Sequence, residues 1–373
     1  MKLAVLSSSR ADFSIYKPLL TALRMSDAFS FELIVFGTHI SDKHGFTLRD
    51  IQADGFEANH VLMDTFPISD KPSDISMCMA KTIEIFSDFW KNNKYDLVFA
   101  LGDRFEMFSA CLSGVPFNIK IAHIHGGETT LGAIDEIFRH SITHMSKLHF
   151  SATDVYKKKV IQLIGSANYV YDVGALSIDN LRTIHYLSKK DIYEKYGIDF
   201  NNPTILTTFH PETIDFEKNS MNIQQLLNVF QKLLDYQIVC TMPNSDTSGN
   251  VIRKALIDFQ KSNLHPNFYL YESLGFVGYY SFMKNCTLML GNTSSGFAEA
   301  YYFYKPVVNL GNRQSGRIVT ENIFNSEINE NEIMLNVVKA LDFKIPKTTE
   351  NLYGNGDAAT RIIKILNEIR CEL

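Results

Sequence analysis

The segment DLVFALGDRFEMFSACLSGVPFNIKIAHIHGG, residues 96–127, contains two short apolar runs on either side of a longer one. The short runs, DLVFALG and IKIAHI, have the length and the Val, Ile, Leu and Phe content of buried parallel strands. The run between them, RFEMFSACLSGV, has apolar residues at helical spacing. A strand, a helix and a second strand in this order predict part of a doubly wound α/β sheet.

The same alternation extends in both directions from this segment. Before it, KLAVLSS and FELIVFG predict strands, while SIYKPLLTALRMS and ISMCMAKTIEIFSDFWKNN predict helices. After residue 200 the pattern restarts, with PTILTTFHP, YQIVCTMPN, NFYLYESL, TLMLGNTS and PVVNLGN as strands and SSGFAEAYYF among the helices. The fold class that we expect is therefore α/β, with two Rossmann-like domains and a cleft between them. We expect the domains to span residues 1–175 and 176–356, and the C-terminal amphipathic helix, 357–373, could pack on the first.

Composition and charge exclude several classes of protein. The chain of 373 residues is 45% hydrophobic and 21% charged, which is typical of a globular protein, and its net charge of −5 gives no basic surface for nucleic acid. The apolar runs are too short to span a membrane, and the first one is too short for a secretion signal. The five cysteines are odd in number and widely spaced, which favours reduced thiols in a cytoplasmic protein.

Polar residues gather directly after the predicted strands, where open α/β sheets bind their ligands. One such loop is more often a simple helix cap, but here most strands are followed by one. GNTSSGFAEA opens a predicted helix with hydroxyl and glycine residues that suit a pyrophosphate, and Glu299 follows as a ribose ligand. Arg313, Arg317 and Arg10 add guanidinium groups. Because the chain has neither GxGxxG nor a Walker loop, these features point to a nucleotide-sugar.

The loop HIHGGETTLGAIDE, residues 123–136, concentrates imidazoles and carboxylates around two glycines. Several carboxylates beside an imidazole suit acid–base chemistry, because neighbouring groups move each other's pKa values apart. A metal site is the weaker interpretation, since the helix sequence HSITH lacks the zinc-protease pattern HExxH. A salt-bridge network with Arg104 and Arg139 is the structural alternative for some of these residues.

The motifs LGDRFE, HIHGGETTLGAIDEIFRHSITHMSKLHF, FHPET, MPNSD, GNTSSGFAE and NLGNRQSGR together resemble the hydrolysing UDP-N-acetylglucosamine 2-epimerases of sialic-acid-type sugar synthesis. The resemblance covers most of the chain, in order and in spacing. It implies the glycosyltransferase-B-like fold, a homodimer or homotetramer, and conversion of UDP-N-acetylglucosamine and water to N-acetylmannosamine and UDP. The implied route is elimination of UDP to a 2-acetamidoglucal, which is then hydrated, with no cofactor and no metal.

The resemblance also implies roles for individual residues. Arg10 and Arg317 would bind the diphosphate, Glu299 the ribose, and His210 would lie close to the leaving phosphate. The full sets that we expect are Asp103, His125, Glu128, Asp135 and His210 for catalysis, and Arg10, Arg104, His210, Asn244, Thr293, Ser294, Ser295, Gly296, Glu299 and Arg317 for UDP.

One departure from the family pattern leaves two questions open. Several members have HIEGGE, with a glutamate where this chain has His125, so either His125 or Glu128 would take over that proton transfer. The departure also admits UDP-N,N'-diacetylbacillosamine as the substrate. A non-hydrolysing epimerase, a retaining UDP-sugar glycosyltransferase and a regulator that only binds the nucleotide-sugar are the alternatives from other functional classes.

Overall fold

The structure is a computed structural model that describes residues 1–42, 45–131, 133–212, 216–243, 249–344 and 351–372. The chain divides into two compact units. Unit 1 comprises Met1–Glu128, Asp135–Arg182 and Leu352–Leu373, and unit 2 comprises Thr129–Ile134 and Thr183–Asn351. The domain bounds given above stay a prediction, and the two units are used below. No helix within the described ranges is both long enough and apolar enough to cross a membrane.

Unit 1 is built on a parallel sheet of seven strands. The strands are β1 (Lys2–Ser7), β2 (Ser30–Val35), β3 (His60–Val61), β4 (Leu97–Leu101), β5 (Ile121–Ile124), β6 (Leu148–Ser151) and β7 (Val170–Asp172). They lie in the order β3-β2-β1-β4-β5-β6-β7, and Leu101 at the end of β4 pairs with Ile124 at the end of β5. The loops that follow β4 and β5 therefore begin side by side.

The helices of unit 1 follow the strands in sequence. They are α1 (Arg10–Arg24), α2 (Leu48–Ala53), α3 (Pro72–Asn92), α4 (Phe105–Gly114), α5 (Asp135–Met145), α6 (Asp154–Ile164) and α7 (Leu176–Thr183). The apolar side chains of α1, among them Leu19, Leu20 and Leu23, are fully buried against the sheet. Burial of such a side chain contributes roughly 1.5–3 kcal/mol, so the apolar stripe read in the sequence accounts for the position of α1.

Unit 2 repeats this design with six parallel strands. Its strands are β8 (Thr204–Thr208), β9 (Gln237–Thr241), β10 (Phe268–Tyr271), β11 (Leu288–Gly291), β12 (Val307–Leu310) and β13 (Ile323–Ser326). Its helices are α8 (Lys189–Tyr196), α9 (Asn219–Lys232), α10 (Gly249–Ser262), α11 (Gly275–Asn285), α12 (Ala298–Tyr302) and α13 (Glu330–Asp342). The strand order is β10-β9-β8-β11-β12-β13.

The last helix, α14 (Ala358–Ile369), belongs to unit 1. Its side chains Ile362, Leu366 and Ile369 are buried in the same core as α1. Asp179 of α7 accepts hydrogen bonds from the backbone N–H groups of Ala358 and Ala359, at 3.0 and 2.8 Å. These bonds satisfy two of the donors that a helix leaves unpaired at its first turn.

Two features differ from the sequence expectation. Four short strands, β3, β6, β7 and β13, were not predicted. The helix expected from Ser294 is instead a 3₁₀ turn, Ser294–Gly296, followed by α12 from Ala298. The hydroxyls of Thr293 and Ser295 bond to one another at 3.2 Å, and local bonds of this kind compete with helix formation.

Both sheets have the strand order of a dinucleotide-binding fold. In each, the order reverses at one place, between β1 and β4 in unit 1 and between β8 and β11 in unit 2. Ligands of open parallel sheets bind at this reversal, beyond the carboxyl ends of the strands. The fold therefore predicts ligand binding at the loops that follow β1 and β4 in unit 1 and at the loops that follow β8 and β11 in unit 2.

Candidate functional site

The loop after β1 is organised by a buried carboxylate. Asp12 accepts hydrogen bonds from the backbone N–H and the hydroxyl of Ser8, at 2.9 and 2.6 Å. Burial raises the pKa of Asp12, while the hydroxyl of Ser8 and the charge of Arg104 oppose the shift. Ser9 caps α1, and the side chain of Arg10 follows in an exposed position. Arg10 is thus accessible to a ligand, as its predicted role requires.

Arg104, in the loop after β4, is bound to a carboxylate of its own unit. Its guanidinium donates to both oxygens of Glu106, at 3.2 and 2.9 Å. Glu106 is fully buried, which raises its pKa, and the Arg104 charge acts in the opposite direction. A phosphate would have to share this guanidinium with Glu106, so the predicted contact of Arg104 with UDP stays a prediction.

Asp103 forms an ion pair with Arg139 of α5. Arg139 is 2% exposed, and it also donates to the backbone carbonyl of Glu128 at 2.8 Å. A guanidinium in contact favours the charged form of a carboxylate. Asp103 is thus held as an anion at the end of β4, and the salt-bridge alternative from the sequence applies to it. Asp135, also expected in catalysis, begins α5 one turn before Arg139.

His125 and Glu128 form a hydrogen-bonded pair in the turn after β5. The Nδ1 atom of His125 lies 2.5 Å from Oε1 of Glu128, and both side chains are mostly buried. The Nε2 atom of His125 is buried and has no hydrogen-bond partner among the described residues. A buried polar atom without a partner is uncommon and calls for an explanation.

The backbone of this turn is unusual. His125 adopts a left-handed φ of 65°, which a non-glycine residue rarely does. Gly127 has a φ of 83°, and a side chain there would meet the carbonyl oxygen of Tyr156 at 2.3 Å. Gly127 therefore has a steric purpose, because the absence of a side chain there lets the turn lie against α6.

His123, the other histidine of the motif, has a structural position inside β5. Its Nε2 lies 2.8 Å from the carbonyl of Gly102, and its Nδ1 lies 3.1 Å from the hydroxyl of Thr143. Burial lowers its pKa to about 3, so it stays neutral at physiological pH. Both nitrogens are occupied within the unit, which leaves His123 no atom for a substrate.

In unit 2, the buried amide of Asn292 connects three loops. It accepts from the backbone N–H of His210 at 2.6 Å and donates to the carbonyl of His210 at 2.8 Å. The backbone carbonyl of Asn292 accepts from the side-chain amide of Gln314 at 2.9 Å, and the side-chain oxygen of Gln314 accepts from Arg317 at 2.6 Å. His210 and Arg317, both expected at the UDP end, are thus linked through Asn292 to the turn that begins at Thr293.

The turn itself presents hydroxyl groups. Tyr279 of α11 lies 2.7 Å from the hydroxyl of Ser295, which also bonds Thr293. Glu299 is 9% exposed, and its charge adds to the burial that raises the pKa of Tyr280. The residues predicted to bind UDP in this motif lie in the 3₁₀ turn and at the start of α12, in unit 2: Thr293, Ser294, Ser295, Gly296 and Glu299. Asn244 lies outside the described residues.

Asn292, Gln314 and Tyr279 have roles in these loops that the sequence reading did not assign, whereas Arg139 is one of the residues expected in a salt-bridge network. Asn292 stands directly before the TSSG turn, so its position in the motif GNTSSG was the available signal. Gln314 lies within the polar motif NLGNRQSGR that follows β12, whereas Tyr279 lies in α11, away from any polar strand end, and no sequence signal singled it out. Within the described residues, no group of three or more His, Cys, Asp and Glu side chains is arranged to hold a metal ion.

A short segment that follows the His125 turn belongs to unit 2. The backbone N–H of Leu131 donates to the carbonyl of Ser315 at 2.8 Å. Gly316 has a φ of 89°, and a side chain on it would meet Thr129 at 2.2 Å. The segment therefore packs against the loop that carries Arg317.

Comparison with known proteins gives consistent matches. The family model described as UDP-N-acetylglucosamine 2-epimerase matches residues 21–367. The chain is 33% identical, over 92% of its length and 88% of the relative's, to the GDP/UDP-N,N'-diacetylbacillosamine 2-epimerase (hydrolyzing) of Campylobacter jejuni. It is 31% identical to the polysialic acid biosynthesis protein P7 of Escherichia coli, over 98% and 94% of the two chains.

A solved structure has the same fold. UDP-GlcNAc 2-epimerase from Neisseria meningitidis, bound to UDP-GlcNAc, superposes with a TM-score of 0.83 at 20% identity, over 99% of this chain and 100% of that one. This likeness confirms the predicted fold class of two parallel-sheet α/β domains, glycosyltransferase-B-like in type. The family model and the two relatives confirm the family inferred from the motifs, and the chain belongs to the UDP-N-acetylglucosamine 2-epimerase family.

Proposed function

We propose that the protein is a hydrolysing 2-epimerase that converts UDP-N-acetylglucosamine and water to N-acetylmannosamine and UDP. The observation that carries the proposal is the placement of two ionisable pairs, Asp103 with Arg139 and His125 with Glu128, in the loops that follow the neighbouring strands β4 and β5. Inverting a carbon centre through an alkene needs one group to remove a proton and another to deliver one. A carboxylate and an imidazole supply these two functions near neutral pH.

The first half of the reaction is an elimination. Asp103 takes the proton from C2, the C2–H electron pair forms the C1–C2 double bond, and the C1–O bond breaks with departure of UDP. The products are UDP and a 2-acetamidoglucal. In the second half, water bonds to C1 and a proton is added to C2, which gives the free sugar. Asp135, at the start of α5, is proposed as a further participant in these transfers.

The UDP end of the substrate is proposed to bind to unit 2 and to Arg10. Arg317 and His210, both linked to Asn292, would contact the diphosphate, with the hydroxyls of Thr293 to Ser295 as further donors. Charged hydrogen bonds from guanidinium to phosphate are among the stronger polar contacts in proteins. Glu299 would accept from the ribose hydroxyls, and Asn244 is proposed on the nucleotide side.

UDP-N,N'-diacetylbacillosamine is the second candidate substrate. It is favoured by the Campylobacter jejuni relative, whose name specifies that sugar and whose identity to this chain is 33%. The Escherichia coli relative, at 31% identity, is named for polysialic acid biosynthesis and favours N-acetylmannosamine as the product. The chemistry at C1 and C2 is the same for both substrates. We further propose that the protein acts in the cytoplasm as a homodimer or homotetramer.

The test is incubation with each UDP-sugar in separate reactions in D₂O, followed by phosphorus and proton NMR. We expect UDP and a free reducing sugar of the manno configuration that carries deuterium at C2, and the faster reaction identifies the substrate. An intact UDP-N-acetylmannosamine product would indicate a non-hydrolysing epimerase. A free sugar that keeps its original C2 proton would contradict the elimination and indicate direct hydrolysis at C1.

A further inference from the structure

The contact between His125 and Glu128 constrains where the imidazole carries its proton. A neutral imidazole has one N–H, and an ionised carboxylate can only accept. With Oε1 of Glu128 at 2.5 Å from Nδ1, the favourable arrangement places the N–H on Nδ1. The Nε2 atom is buried and has no hydrogen-bond partner among the described residues. It is therefore the atom of the imidazole that can exchange a proton with a bound substrate.

Several contacts hold the pair in place. The backbone N–H of His125 donates to the carbonyl of Phe150 at 3.0 Å, which fixes the start of the turn to β6. The backbone carbonyl of Glu128 accepts from Arg139 at 2.8 Å, which fixes the end of the turn to α5. Between them, Gly127 lies against Tyr156 with no room for a side chain. Held at both ends, the turn keeps the imidazole in one orientation, which proton transfer requires.

The neighbouring Asp103 differs from this pair in its charge partner. Asp103 contacts a guanidinium, which keeps a carboxylate ionised and suits it to take a proton. His125 instead contacts a carboxylate that accepts from Nδ1, which leaves Nε2 as the atom that can pass a proton to a substrate. Removal of the C2 proton is thus assigned to Asp103, whose partner is a guanidinium, and delivery of a proton to C2 is assigned to His125, whose partner is a carboxylate.

We infer that Glu128 is a positioning residue that fixes the Nδ1–H form of His125, so that Nε2 of the imidazolium delivers the proton to C2 during hydration of the glucal. This inference rests on the proposed function. In that step the Nε2 proton bonds to C2, water bonds to C1 and releases a proton to solvent, and solvent restores the imidazolium. Glu128 accepts from Nδ1 throughout and makes no bond to the substrate.

The first measurement reads the tautomer in the resting protein without substrate. Long-range nitrogen–proton NMR of histidine-labelled protein distinguishes the two tautomers, and the spectrum of His125→Gln assigns the signal. We expect the Nδ1–H form in the unmodified protein, the same form in Glu128→Gln, which keeps an acceptor oxygen, and a mixture in Glu128→Ala. The matched control is Glu32→Gln, which alters another histidine–glutamate contact, 3.2 Å between His60 and Glu32, and leaves the His125 signal unchanged.

The second measurement separates the two halves of the reaction, with UDP-N-acetylglucosamine and UDP-N,N'-diacetylbacillosamine as the probes. His125→Gln should release UDP and 2-acetamidoglucal while formation of the final sugar falls by about 10²–10⁴-fold. Glu128→Ala should show the same accumulation of glucal with KM changed less than about threefold, and Glu128→Gln should lose less kcat than Glu128→Ala.

The outcomes distinguish this inference from the proposed function. If Glu128→Ala keeps the Nδ1–H form, or if His125→Gln makes the final sugar at the original rate, the inference is wrong while the epimerase function stands. If the unmodified protein releases no UDP from either sugar, the proposed function is wrong, and the role of His125 in hydration is then wrong as well. The tautomer measurement still decides whether Glu128 positions His125.

Discussion

The loops after β4 and β5 in unit 1 and the loops after β8 and β11 in unit 2 all lie at the carboxyl ends of neighbouring parallel strands, in two sheets with the same kind of strand order. In unit 1 the ionisable side chains of these loops form two pairs: Asp103 contacts Arg139, and His125 contacts Glu128. In unit 2 the loops are joined by the neutral amide of Asn292 and by hydroxyl groups. The two sheets thus support different groups at their strand ends: ionisable pairs in unit 1, and uncharged hydrogen-bonding groups beside Arg317 in unit 2.

The largest effect is expected from Asp103→Asn, which tests the charged side of the comparison. The amide keeps the shape and a contact for Arg139 but cannot accept a proton from carbon, so kcat should fall by about 10²–10⁴-fold. Stopped-flow release of UDP measures this, and calorimetry should find UDP affinity unchanged. Asp154→Asn, which alters an exposed ion pair with Lys158, is the control for loss of a carboxylate. Wild-type turnover in Asp103→Asn would contradict the assignment.

Acid should destabilise unit 1 through its buried histidines. Burial lowers the pKa of His39 and His123 to about 3 and that of His149 to about 4, against 6.5 for an ordinary histidine. Below pH 6.5 the unfolded chain binds these protons and the folded chain does not, so stability present above pH 6.5 is lost as pH falls. Each such histidine contributes about 1.4 kcal/mol per pH unit until its folded pKa is reached.

Hydrogen exchange of peptides from β1 and β2 between pH 6.5 and 5 measures this loss. His39→Gln can keep a bond to Ser7 or Thr47 without titrating, so its stability should depend less steeply on pH than that of the unmodified chain. Equal slopes in the two proteins would show that His39 titrates normally in the folded state.

A smaller effect is expected in unit 2. Arg317→Ala should weaken UDP binding by about 1.5–3 kcal/mol, the range for a hydrogen bond to a charged group. Isothermal calorimetry measures the change. Arg253→Ala removes an arginine of the same unit that pairs with Glu272 on the surface, and it should bind UDP as the unmodified protein does. Unchanged affinity in Arg317→Ala would remove this arginine from the diphosphate site.

The smallest effect is expected from chelation. The proposed chemistry uses side chains alone, so exhaustive treatment with EDTA should leave turnover unchanged, and a treated sample with added Mg²⁺ is the comparison. Loss of activity that Mg²⁺ or Zn²⁺ restores would contradict the metal-free mechanism.

Much of the fold could be predicted because its strands are continuous apolar runs. The strands β1 and β4 have buried Val, Leu and Phe and are visible in the sequence. In contrast, β6 has the sequence LHFS, in which His149 and Ser151 are buried polar residues that interrupt the apolar pattern. β3 is only two residues long, too short for any period to be recognised.

For the site, the sequence indicated which residue types gather after the strands, but not how they pair. The motif HIHGGE contains both His125 and Glu128, yet nothing in it indicates that they contact each other. That contact depends on the left-handed backbone at His125 and on Arg139, which comes from another helix. The connecting role of Asn292 likewise depends on the sheet, which brings the loops after β8 and β11 together.

The return of α14 to unit 1 has a consequence for protein synthesis. Domains generally fold as units while the chain emerges from the ribosome, N-terminal first. Here the core of unit 1 needs Ile362, Leu366 and Ile369, which are made after all of Thr183–Asn351. The unit that emerges first therefore completes its core last, and until then the part of that core that α14 fills is exposed. We expect the nascent chain to depend on chaperone protection of that surface until α14 has been synthesised and can pack on it.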